Sequence, residues 1–121
     1  MMVGFFADPG RSSMTTDDLI SITSTFASRE AAEACGRRLV ESRLAACVQV
    51  EGPITSLYRW RNAVETAVEW RCACKTTGER EHECVAAIVA AHGYETPQVA
   101  VARLTGSPAY VAWIRESVTS T

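Results

Sequence analysis

The first third of the chain alternates between the hydrophobic period of a strand and that of a helix. Leu19 to Phe26 is rich in β-branched residues with partial alternation, which predicts a strand. Ser28 then offers a helix N-cap. Apolar side chains follow at the four-residue spacing of one helix face: Ala31, Cys35 and Leu39. Gly36 inside this helix costs about 1 kcal/mol relative to alanine, so we expect close packing against a neighbouring element.

The middle of the chain predicts a long two-stranded ribbon. An almost continuously apolar strand begins at Leu44 and resumes through Ile54 to Trp60 after Gly52-Pro53. Proline cannot donate to a strand ladder, so this pair predicts a bulge or bend. Arg61-Asn62 supplies the turn, because asparagine tolerates positive φ. One face of the returning strand carries Val64, Thr66, Val68, Trp70, Cys72 and Cys74. The ribbon is longer than a small domain needs, so we expect a partner to cover it.

The last third of the pattern predicts a helix, a short strand and a final helix. The helix over Glu79 to Ala91 has Gly93 as a candidate C-terminal cap. Pro97 to Leu104 predicts the strand, and Ser107-Pro108 opens the final helix. The buried face of that helix is expected to be Tyr110, Trp113 and Ile114. The order β-α-β-β-α-β-α predicts an α+β fold with the split βαβ sheet of ferredoxin-like domains.

Length and charge restrict the function classes. The 121 residues suffice for one domain, expected over residues 18–121, with residues 1–17 as a flexible N-terminal tail or a cloning remnant. The net charge is −2 and Lys75 is the only lysine, so we expect no nucleic-acid partner. No apolar run approaches the roughly 20 residues that cross a bilayer, so we expect no membrane partner.

Five cysteines stand at positions 35, 47, 72, 74 and 84 without a secretory signal, which favours free thiols and a cytoplasmic location. Cys72 and Cys74 are two residues apart on a strand, so both sulfurs share a face and could reach one soft metal. A structural zinc site needs about four ligands, and no matching pair stands at finger-like spacing. We therefore interpret them as buried thiols and expect Cys84, beside charged residues, to be the most accessible.

Two histidines are the remaining candidates for chemistry. His82 lies among charged residues and is interpreted as a solvated side chain. His92 ends the second helix, where it is either a favourable charge on the helix dipole or a metal ligand. Glu95 is near enough in sequence to add a carboxylate. Nucleotide, metalloenzyme and serine-hydrolase signatures are absent from the sequence, so we expect no cofactor beyond a divalent cation and no enzyme activity.

Five short blocks stand at characteristic positions along the chain. They are Leu44–Val48, Ser56–Trp60, Lys75-Thr76, His92–Pro97, and Tyr110 with Trp113-Ile114. In this order and spacing they resemble the CutA family of divalent-cation tolerance proteins, over roughly Leu19 to Val118. The resemblance implies a ferredoxin-like fold assembled as a tight, PII-like homotrimer. It also implies a role in the response to metal ions such as copper.

The chain departs from this family at two places. The family often has Trp-Glu-Gly-Lys at the hairpin tip, where this chain has Trp60-Arg61-Asn62-Ala63. In members described as copper-binding, a cysteine near the end of the first strand acts with histidines. Here the first-strand position is Ser24 and Ala91 precedes His92, so only His92 carries over. With Glu95 it predicts a weak site for copper or another divalent cation.

The resemblance also supports an alternative function. CutA trimers resemble the PII signalling proteins, which bind small ligands in clefts between subunits. Four residues could line such a cleft here: Tyr58, Trp60, Lys75 and Tyr94. Packing within the trimer is the competing explanation for the same side chains.

Overall fold

Strands and helices follow one another along the chain in the predicted order β-α-β-β-α-β-α. The computed structural model describes residues 18–119, so the predicted N-terminal tail lies outside the described residues. The elements are β1 (Leu19–Phe26), α1 (Arg29–Glu41), β2 (Cys47–Trp60), β3 (Ala63–Thr77), a 3-10 turn (Gly78–Arg80), α2 (Glu81–Ala91), β4 (Ala100–Leu104) and α3 (Pro108–Ser117). No helix of this part of the chain is long and apolar enough to span a membrane.

The four strands form one antiparallel sheet in the order β2-β3-β1-β4. Strand β3 lies between β1 and β2, and α1 connects those two strands over the sheet. This is the split βαβ arrangement, so the predicted ferredoxin-like topology is confirmed.

The β2–β3 hairpin is the longest feature of the sheet, with strands of 14 and 15 residues. Arg61 and Asn62 make its turn with φ of 49° and 69°, as the sequence predicts. The register shifts between Glu51 and Ile54, which places the predicted bulge at Gly52-Pro53. β2 begins later than the predicted Leu44. The backbone N–H groups of residues 44 and 45 donate instead to the carbonyl of Leu39 in the last turn of α1.

Side-chain caps begin two of the helices. The Ser28 hydroxyl accepts from the Ala31 N–H at 3.1 Å, and the Ser107 hydroxyl accepts from the Tyr110 N–H at 3.3 Å. The prediction that Gly93 caps α2 is wrong. The helix ends at His92 in an extended conformation, with φ −84° and ψ 146°, so no residue with positive φ is needed there.

The main core lies between one face of the sheet and helices α1 and α2. Its large, fully buried members include Ile20, Ile22, Leu39, Cys72, Cys74, Cys84 and Ile88. Successive strand residues point to opposite faces, so Leu19 belongs to the other face. There it packs with Ile114 and Val118 in a second, smaller cluster. Helix α3 therefore covers only one end of the second face.

Two expectations about burial are wrong. Tyr110 and Trp113 are 39% and 44% exposed, and only Ile114 of the predicted α3 face is buried. The reason is that α3 meets the sheet along one narrow row, while the two rings stack on each other at 5.9 Å. Cys84 is fully buried instead of accessible, because it lies on the α2 face that packs on the core, and Cys47 is the half-buried cysteine.

Candidate functional site

A cavity of about 950 Å³ lies beside the half of the β2–β3 hairpin that is nearer its turn. Strand β1 ends at Phe26, opposite Trp70, whereas the β2–β3 hairpin continues beyond this point. The segment that follows α2 packs beside this uncovered part of the hairpin and closes one side of the cavity. Its walls come from three places in the chain: Thr25 of β1, residues 56–60, 67 and 69 of the hairpin, and residues 93–98. The cavity opens on the sheet face opposite α1 and α2.

Strand register explains why aromatic rings reach this cavity. Ser56 lies opposite Ala67, and Tyr58 lies opposite Glu65. Residues directly opposite in an antiparallel pair share a face, so Tyr58 and Trp60 extend from the same face as Glu69. The hairpin thus supplies both an aromatic wall and a carboxylate.

Glu69 is the most buried charged group of the site, with 8% of its surface exposed. The Tyr94 hydroxyl donates to its Oε2 at 2.9 Å. Burial and this hydrogen bond raise the pKa of Tyr94 to about 12. Sequence reasoning assigned no role to Glu69, because alternation along β3 gives its face but not its contact with a tyrosine 25 positions away.

His92 is held on the helix side of the sheet. Its ring stacks on Phe26 with centroids 4.2 Å apart, and its Nε2 lies 2.9 Å from the Ser24 hydroxyl. Its Nδ1 is buried without a partner among residues 18–119. Burial lowers the pKa of His92, and the charge of Glu69 acts in the opposite direction. The imidazole therefore fixes the start of the segment after α2 to the end of strand β1.

Glu95 turns toward the hairpin tip. Arg61 Nη2 donates to its Oε1 at 3.3 Å, and both side chains are largely exposed. The Arg61 guanidinium also lies over the Trp60 ring, 5.3 Å from its centroid. Arg61, which stands where the family often has glutamate, thus links the turn to the segment after α2.

The donor atoms needed for a closed metal site are not assembled in this part of the molecule. Among residues 18–119, no group of three or more His, Cys, Asp or Glu side chains could hold a metal ion. A metal at His92 would have to displace Ser24 from Nε2 or reach the buried Nδ1. A metal at Glu95 would compete with Arg61. The geometry is thus suited at most to weak coordination.

The structure brings together three of the four residues predicted to line a ligand cleft. Tyr58, Trp60 and Tyr94 line the cavity, as does Glu95. Lys75 lies elsewhere on β3, opposite Ser21, where its ammonium donates to the Gln49 side chain at 2.9 Å.

Comparison with known proteins gives a consistent set of similarities. The family model described as "CutA1 divalent ion tolerance protein" matches residues 20–117. The divalent-cation tolerance protein CutA of Thermotoga maritima is 37% identical over 101 residues, which are 83% of this chain and 99% of that protein.

Solved structures give the same similarity in three dimensions. CutA from Xylella fastidiosa superposes with a TM-score of 0.82 and 32% identity, covering 84% of this chain and 99% of that one. A protein from Archaeoglobus fulgidus, described as a periplasmic divalent cation tolerance protein, superposes with a TM-score of 0.80 and 34% identity over the same shares.

Proposed function

The chain belongs to the CutA1 divalent ion tolerance family, and from this membership we propose that it acts in the cellular response to divalent metal ions. The observation that carries the proposal is the family match, which spans residues 20–117 and therefore almost all of the described fold. The relatives at 37% identity are named for divalent-cation tolerance. As part of this role, we propose that the chain binds copper or another divalent cation weakly.

His92 and Glu95 are the proposed metal ligands. Imidazole nitrogen suits copper and zinc, and a carboxylate can complete a mixed site. Both groups already have partners, Ser24 for the imidazole and Arg61 for the carboxylate. Metal binding must replace these contacts, so the affinity should be far below that of a site built from several histidines and cysteines.

Calorimetric titration of copper(II) at neutral pH tests the metal site. We expect weak binding by the parent chain and its loss in His92→Ala, with the fold retained. His82→Ala is the matched control, because it removes an exposed imidazole from α2. Tight stoichiometric binding that survives His92→Ala, or weak binding lost only in His82→Ala, would contradict the assignment of His92.

A homotrimer is the proposed assembly. The hairpin exposes three aliphatic side chains beyond the reach of α1 and α2: Leu57, Val64 and Val68, at 70%, 66% and 57%. Exposed apolar surface of this kind marks an interface. Neighbouring copies of the chain would cover it.

We further propose that the protein works in the cytoplasm and without catalysing a reaction. All five cysteines are free thiols, which agrees with a reducing compartment. The Archaeoglobus fulgidus relative is described as periplasmic, so the compartment of this chain has to be measured by cell fractionation. The names of the relatives give a tolerance function and not a reaction.

A second candidate function is a PII-like trimeric regulatory module that binds a small ligand in clefts between subunits. The specific observation in its favour is the cavity beside the hairpin, with Tyr58, Trp60 and Tyr94 in its walls. Its volume lies in the range of small-molecule sites, roughly 300–1,000 Å³. Ligand-dependent thermal shifts distinguish this function from simple metal binding.

A further inference from the structure

Glu69 is a buried carboxylate that forms no ion pair with any side chain of residues 18–119. Tyr94 donates to its Oε2, which leaves Oε1 without a hydrogen-bond partner among residues 18–119. Within the same residues, no lysine or arginine lies within 4.0 Å of this carboxylate. Buried charged side chains are almost always paired. The wall of the cavity therefore presents an acceptor that no cationic side chain of residues 18–119 pairs with.

The rim of the same cavity already holds a cation in this way. The Arg61 guanidinium lies over the Trp60 ring and donates to Glu95, so an aromatic face and a carboxylate share one guanidinium. The interior repeats the same two components. The Tyr94 hydroxyl donates to Glu69, and Tyr58 lines the same cavity as both of them. Among residues 18–119, however, no guanidinium pairs with Glu69 as Arg61 pairs with Glu95.

We propose that the cavity binds a small organic cation, a protonated amine or a guanidinium, which pairs with Glu69 and lies against the rings of Tyr58 and Tyr94. Aromatic faces attract such cations through the ring quadrupole, and desolvation strengthens the attraction. This inference rests on the proposed small-ligand function and names the chemical class of the ligand. It does not depend on metal binding at His92.

Other occupants fit the cavity less well. A divalent metal needs several hard donors, and no cluster of three metal-binding side chains exists among residues 18–119. An anion would need Arg59, which also borders the cavity. Strand alternation directs that side chain to the face opposite Tyr58. His92 does not pair with Glu69, because its Nε2 is engaged with the Ser24 hydroxyl and no ion pair joins the two side chains.

Three phenyl-bearing probes of different charge test the proposal on the full chain. They are phenylguanidinium, which is cationic, phenylurea, which is neutral, and benzoate, which is anionic. Calorimetry and thermal shift should show saturable binding of phenylguanidinium, and binding of phenylurea at least about tenfold weaker, as expected for a charged hydrogen bond. Benzoate should not bind.

Matched variants locate the binding site of the cation. Glu69→Gln keeps the size of the side chain and should weaken phenylguanidinium binding by about tenfold or more, with phenylurea unchanged. Glu65→Gln makes the same change on the same face of β3 and should have no effect. If Glu69→Gln does not fold, Tyr58→Leu replaces it, and we again expect selective loss of the cation.

Several results would overturn the inference. Equal binding of phenylguanidinium and phenylurea, or full binding by Glu69→Gln, would show that the cavity does not select charge. Trimer loss in Glu69→Gln without any binding of phenylguanidinium by the parent would assign the missing cation to a neighbouring subunit. Binding of benzoate alone would leave the small-ligand function standing and refute only the ligand class. Failure of all three probes to bind would count against both the proposed ligand class and the small-ligand function. Copper titration of the same samples reports separately on the metal function.

Discussion

The cysteines illustrate how burial decides the chemistry of single residues. Interaction with the neighbouring Cys84 thiol, together with burial, raises the pKa of Cys74, and the same interaction lowers the pKa of Cys84. Burial raises the pKa of Cys72 to about 12. Because only the thiolate reacts readily, Cys72 and Cys74 are inert while the core is closed. The one lowered pKa belongs to Cys84, which is fully buried.

Thiol labelling should therefore divide the five cysteines into two groups. With a disulfide reagent at pH 8, we expect at most one thiol of the native protein to react quickly, and all five after denaturation. The fast thiol should be Cys47, the half-buried cysteine at the start of β2. Cys47→Ser should abolish the fast phase, as followed by absorbance and by mass spectrometry of the labelled peptides. Rapid native labelling of Cys84 would contradict this account.

At the scale of elements, local rules predicted the strands, turns and caps better than the exposed faces. The hairpin turn at Arg61-Asn62 and the cap at Ser28 depend on nearby residues, and both are confirmed. The burial of Glu69 and the exposure of Trp113 depend on which distant element covers which face. Sequence periodicity shows which residues share a face but not which distant element covers that face.

Gly36 was predicted to allow close packing of α1 against a neighbouring element, and the structure shows that this element is β2. A Cβ at this position would lie 2.9 Å from Val48 Cγ1, where α1 packs on β2. We expect Gly36→Ala to destabilise the protein, because overpacking costs about 1–3 kcal/mol, against a gain in helix propensity of about 1 kcal/mol. Urea denaturation measures the net change in the free energy of unfolding.

Gly93→Ala is the matched control for this substitution. A Cβ at Gly93 would meet nothing within 4 Å, and its φ is not in the left-handed region. The same change of side chain should there leave stability unchanged or raise it by about 0.4–1 kcal/mol through the unfolded state. If both variants lost stability equally, close packing at Gly36 would not be the cause.

At the scale of the whole molecule, a single copy of the chain leaves surfaces that a stable protein usually covers. β2 is an edge strand of 14 residues, and edge strands invite pairing with another chain. The hairpin exposes aliphatic side chains on the face of α1, and α3 exposes Tyr110 and Trp113. A closed ring of copies, in which each covers part of the next, would cover the hairpin, the edge strand and the terminal helix together.

Light scattering on the purified protein should accordingly give three times the chain mass of 13.1 kDa.

Leu57→Glu should shift the protein toward smaller species at concentrations where the parent is intact. Each copy would lose about 2 kcal/mol of apolar burial and gain an unpaired charge in the interface. Ala63→Glu is the control, since it adds the same charge to the same hairpin on the opposite face. A parent chain that remains a folded monomer at micromolar concentration would refute the trimer, and dissociation by Ala63→Glu alone would place the interface on the cavity side of the hairpin.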